Sequence, residues 1–156
     1  MSVYACSLAV DDDQPIGPSG GYQLIRLPYG DVESYDGHDM HPAEQPDGVV
    51  SEFPDDRSAL IWPAVDGWSI VEGVVHLEPG DYTEFRFRII RDPLNLSTGH
   101  DSTRSEHRAP SPGGQYWAFS HLMYARVGTP LAIAVAHNAS HDVAVTYAQF
   151  KLAIFA

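Results

Sequence analysis

The sequence predicts an all-β protein, a jelly-roll-like antiparallel β-sandwich of about eight strands, and three observations carry that prediction. The second half of the chain repeats itself at an interval of 48 residues: a long alternating strand, a glycine turn, then another alternating strand, first over 68–91 and again over 116–137. Within these runs Phe85, Phe87 and Ile89 alternate with Glu84, Arg86 and Arg88, and Leu131, Ile133 and Val135 alternate with Ala132, Ala134 and Ala136. Period-two alternation gives each strand one apolar face for a core. Finally, no window shows helical periodicity with caps at its ends, so helix content should be low.

Taken in order, residues 1–21 read as an N-terminal arm: a strand-like run from Val3 to Val10, a break at Asp11-Asp12-Asp13, and a Pro- and Gly-rich segment before the domain proper at 22–156. Residues 22–27 alternate well enough for a strand. The stretch 28–54 is the first long loop, rich in Gly, Pro, Asp and His, with a strand-like run only at 49–53. A short strand is expected at 58–62, stopped by Pro63. Asp66-Gly67 then opens the first long hairpin, which turns at Glu78-Pro79-Gly80-Asp81. Residues 92–114, poor in apolar side chains, read as the second long loop. The second hairpin turns at Val127-Gly128-Thr129-Pro130. The last strand, 143–155, puts Ala148, Phe150, Leu152 and Ile154 on one face and is expected at the centre of a sheet. Small alanines at 132, 134 and 136 suggest an outer face that a second subunit could approach closely.

A length of 156 residues suits one domain. Formal net charge is −12, and twelve of the 21 acidic residues fall in the first 56 positions. Nucleic-acid binding needs a basic stripe to displace phosphate counterions, and none is present. The single cysteine, Cys6, rules out an internal disulfide and reads as a small buried hydrophobe. Val3-Tyr4-Ala5-Cys6 only faintly suggests a lipoprotein box, since no basic or long apolar region precedes it. Every apolar run is far shorter than the roughly 20 residues that span a bilayer. We therefore expect a soluble chain with no signal peptide and no membrane insertion.

Eight histidines invite a metal reading. His38 and His41, with Asp36 nearby, come nearest to it; His100-Asp101 with His107, and His137 with His141 and Asp142, are the other groups. Zinc needs three or four convergent ligands and only pairs are visible, so no metal and no cofactor is expected. No His-x-His pair, nucleophile elbow, phosphate-cradling glycine loop or His-Glu-x-x-His occurs. Asp55-Asp56 and the carboxylates Asp31, Glu33 and Asp36 could be imagined as a glycosidase acid and base, but loop carboxylates are more often solvated. Trp62, Trp68 and Trp117, with Tyr116 and Tyr124, could line a sugar platform; each bounds a predicted strand, which favours core or subunit interface. The Asn95 and Asn138 sequons read as chance matches. The expectation is a non-enzyme.

The residues also carry a likeness. Residues 21–30 (Gly-Tyr-Gln-Leu-Ile-Arg-Leu-Pro-Tyr-Gly), Glu33-Ser34-Tyr35-Asp36, Met40-His41-Pro42 and Leu60-Ile61-Trp62-Pro63 resemble small minor tail proteins of actinobacteriophages. Gly80-Asp81-Tyr82-Thr83-Glu84, Arg91-Asp92-Pro93-Leu94, Pro112-Gly113-Gly114-Gln115-Tyr116 and Gly128-Thr129-Pro130-Leu131-Ala132 extend it over most of 21–155. These are turn and strand-edge sequences. The resemblance implies a virion component of the tail or its tip, a homo-oligomer with a trimer favoured, partnered by other virion proteins and facing a host cell-wall glycan. A capsid decoration or head-fibre protein on the same fold is the alternative, and a carbohydrate-binding module is the second alternative. The family offers no active residues to carry over.

Overall fold

The computed structural model describes residues 1–18, 20–97 and 101–156, with side chains throughout except at 101–103. Among them are nine strands: β1 (Val3–Val10), β2 (Gln14–Ile16), β3 (Gln23–Leu24), β4 (Gly67–Leu77), β5 (Phe85–Arg91), β6 (Asp101–Arg108), β7 (Gln115–Ala125), β8 (Leu131–His137) and β9 (Val143–Phe155). The described helix is confined to two 3-10 turns, Gly30–Val32 and Asp56–Ala59. The strands form two antiparallel sheets, ordered β1-β9-β4-β7 and β3-β8-β5-β6, with β2 also pairing β9 beyond the end of β1. This is the all-β jelly-roll sandwich that the alternation predicts.

The core lies between the two sheets. Trp117 and Phe119 on β7 meet Phe85 and Phe87 on β5, with ring centroids 5.1 Å apart for Phe85 and Trp117 and 4.0 Å for Phe87 and Phe119. Gly73 makes room for this stack, because a Cβ there would lie 2.3 Å from the Phe119 ring. Cys6, Leu8, Val71, Val75, Phe150 and Leu152 fill the same layer.

Four sequence expectations are corrected. The two repeats are not hairpins: β4 pairs β7 and β9, whereas β5 lies in the facing sheet with β6 and β8. Segments 78–84 and 126–130 are corners that cross from one sheet to the other, a span of about 10 Å that a two-residue hairpin turn cannot make. Alternation says which side chains face the core, not which strand lies alongside. Residues 1–21 are not an arm, since β1 runs in register with β9 from Val3↔Phe155 to Val10↔Ala148 and β2 continues alongside it. The second long loop contains β6, an edge strand bonded to β5 alone, whose charged residues suit an edge and hide its strand character. Finally, Ala132, Ala134 and Ala136 are fully buried; Ala132 packs with Ala59, Leu60 and Trp62, and Leu24, Leu94 and Leu96 lie against that cluster. The chain's own loops cover the face that seemed open to a second subunit.

The expected strands at 49–53 and 58–62 shrink to single bridges, Glu44↔Val50 and Ile61↔Leu131. The last strand is central, as expected, between β1 and β4.

Candidate interaction surface

The metal candidates come apart first. His41 is buried, its Nδ1 2.7 Å from Glu33 Oε2 and its Nε2 2.8 Å from the Ser58 carbonyl oxygen. Its ring stacks on Tyr29 at 4.4 Å. Both nitrogens that a metal would need are spent on protein acceptors. His38 lies elsewhere, 4.7 Å from the Tyr4 ring, with a buried Nδ1 that has no partner. Asp36 does not join them either, because its carboxylate accepts the backbone N–H groups of Met40 and His41. His137 donates from Nε2 to Ile16 and accepts at Nδ1 from Ala139, while His107 and His141 reach Glu84 and Asp81. His100 lies outside the described residues. Among those described, no three His, Cys, Asp or Glu side chains converge as a metal site.

The carboxylates are structural too. Asp55 caps the second 3-10 turn, accepting from the Ser58 N–H and the Ser51 hydroxyl, and Asp56 pairs with Arg26 at 2.9 Å. Burial pushes the Asp55 carboxyl up, but the Ser51 hydroxyl and the N–H groups of Glu52 and Ser58 outweigh it and hold it below the usual range. The Cys6 thiol is pushed far up by burial and then by the Asp36 and Glu33 carboxylates, which leaves it unreactive.

What remains is a surface. On the outer face of the β1-β9-β4-β7 sheet, register places side chains in rows across four strands. The first row is Val3, Phe155, Trp68, Tyr124, and the second is Ala5, Ala153, Ile70, Leu122. All eight are apolar or aromatic on a face with no sheet above it. Trp68 is 57% exposed and Leu122 64%, and Trp68 stands edge-on to Tyr124 at 5.7 Å. The third row turns polar: Ser7, Lys151, Glu72, Ser120. Shallow depressions of about 370 and 340 Å³ flank Glu72 and Lys151.

Sequence reading singled out five aromatics, and the structure divides them. Trp62 and Trp117 are core. Trp68 and Tyr124 anchor the apolar rows, while Tyr116, 67% exposed, lies eight residues down β7 beside His76. That separation is about 27 Å along the strand, too far for one sugar platform. Val3, Ala5, Ile70, Leu122, Ala153 and Phe155 were missed as surface residues. Their signal is that the end of β9 is apolar on both faces, Leu152 and Ile154 inward and Ala153 and Phe155 outward, which a half-solvated strand would not be.

No protein-family model matches the chain, and no curated protein matches it. Solved structures do. The globular domain of zebrafish complement 1qA protein is similar with a TM-score of 0.61 at 11% identity, over 99% of this chain and 98% of that one. Eiger TNF from S. frugiperda gives 0.58 at 11% identity over 99% and 93%, and murine APRIL gives 0.53 at 8% over 94% and 98%. At such identities the likeness is one of fold.

Proposed function

We propose that this protein is a non-enzymatic structural component of a bacteriophage virion, a minor tail protein that associates with copies of itself, a trimer being favoured, and docks on neighbouring virion proteins where the tail meets the host surface. The observation that carries the self-association is the pair of apolar rows from Val3 to Leu122, left open on a molecule whose other large apolar sheet face, that of β8, is covered by its own loops. An exposed apolar patch of this extent marks an interaction site. The virion assignment draws its support from the sequence likeness over 21–155 and from a sandwich fold suited to docking.

Two measurements test it. Light scattering across a concentration series should report an oligomer for the native chain and a folded monomer for Trp68→Glu combined with Leu122→Glu; a native monomer at every concentration overturns self-association. Gold-labelled antibody on purified particles should mark the tail. Label on the head makes it a decoration protein, and binding to cell-wall glycan with no particle label makes it a carbohydrate-binding module.

A further inference from the structure

The open face of the β1-β9-β4-β7 sheet is nearly free of charge. Beyond the two apolar rows and the row Ser7, Lys151, Glu72, Ser120 come Ala9, Gln149, Val74, Ala118 and then Tyr147, His76, Tyr116. Lys151 and Glu72 are its only Lys, Arg, Asp or Glu residues, in a chain of net charge −12 whose only lysine is Lys151. Aromatic enrichment with depletion of charge is the make-up of an interface core. Both charged side chains are exposed cross-strand neighbours, yet among the described residues neither takes part in an ion pair.

The face also divides lengthwise into unlike halves. In the second row the β4-β7 half carries Ile70 and Leu122, the latter 64% exposed, where the β1-β9 half carries Ala5 and Ala153. Those alanines and Ser7 floor the depression of about 340 Å³ that Ile70, Glu72 and Lys151 border. Glu72 belongs to the first half and Lys151 to the second. Bulk and negative charge therefore stand on one half, hollow and positive charge on the other. Each half complements the other and not itself. An axis parallel to the strands sets the β4-β7 half of one copy on the β1-β9 half of the next, row level with row. An axis across the strands keeps each strand opposite itself, bulky half on bulky half.

We propose that copies of this chain join half to half, Leu122 of one seated over Ala5 of the next and Glu72 paired with the next copy's Lys151. A net charge of −12 opposes most encounters between copies, and contact meets least repulsion on a face where charge is sparse and balanced. Since every copy offers one half of each kind, the same contact closes a dimer or a trimer. This pairing rests on the self-association proposed above and fixes its register.

Cysteine cross-linking reads that register. Ser7 on β1 and Ser120 on β7 share a row at opposite edges of the face. A chain carrying Ser7→Cys and Ser120→Cys should give covalent oligomers on a non-reducing gel after mild oxidation. Either change alone should give none, because each cysteine then meets the next copy's serine; Cys6 is buried and does not compete. In sedimentation, Lys151→Glu should weaken association at least roughly tenfold at low salt, and adding Glu72→Lys should restore it. Three results overturn the pairing of halves while leaving self-association intact: cross-linking by Ser120→Cys alone, no cross-linking by the double-cysteine chain although the native chain is an oligomer, or indifference to Lys151→Glu. A native monomer at every concentration overturns both.

Discussion

Phe87 has no exposed surface and lies 5.4 Å from the Trp117 ring and 4.0 Å from that of Phe119. Removing such a ring costs about 3–5 kcal/mol, and an unpaired carboxylate in its place costs more, against a total stability of roughly 5–15 kcal/mol. Phe87→Asp should therefore fail to give a cooperative thermal transition. Its neighbour Arg86 points outward and pairs with Glu84, so Arg86→Ala should leave the melting temperature unchanged. Asp55 offers a pH prediction. Its folded carboxyl is held below the unfolded value, so the stability it adds is complete above about pH 4 and is lost as pH falls through the depressed value. Asp55→Ala, which loses the cap, should cost about 1 kcal/mol at neutral pH and less in acid, measured by denaturant titration. The sequence identified Phe87 as core because alternation is a property of single residues along one strand. It could not show that His41 closes on Glu33 and Ser58, since those contacts span a loop whose path no period describes.

The repeated unit has its explanation at the level of elements. β4 pairs antiparallel with β7, its counterpart one repeat later, and β5 pairs with β8 in the same way. Each repeat is thus a bent ribbon with one strand in each sheet, and the two ribbons lie copy against copy. Lengths, core faces and turn positions of β4, β5, β7, β8 and β9 were legible in the chain, though not that the second face of β8 is buried as well. Pairing was not, because a corner and a hairpin share the same glycine and proline signals. β6 was hidden by its charges, whereas β1 was legible as a strand-like run and the acidic break at Asp11 that follows it hid only its place in the sheet. Since β9 bonds to β1 on one side and β4 on the other, deleting residues 149–156 should strip both neighbours of most of their partners. The truncated chain is expected to be insoluble on expression, and a soluble product with a native circular dichroism spectrum would refute this placement.

Across the whole molecule, the two features that bear on function are averaged away in composition. Net charge reveals an acidic protein but not where its charges stand, because that arises only when β1 and β3 take the outer lanes of their sheets and β6, with its arginines, takes the far edge. The apolar rows likewise draw one residue each from β1, β9, β4 and β7, strands spread along the chain from Val3 to Phe155. Such a surface exists only in register.

Ser2 and Ala156 exchange backbone hydrogen bonds, at 2.6 and 3.1 Å, so both ends of the described chain leave the sandwich side by side at one pole. The connections at 11–13, 78–84, 109–114 and 138–142 gather at the other. A tether attached through either end would suspend the domain from the same point and turn those loops outward, like a lantern hung from a single hook.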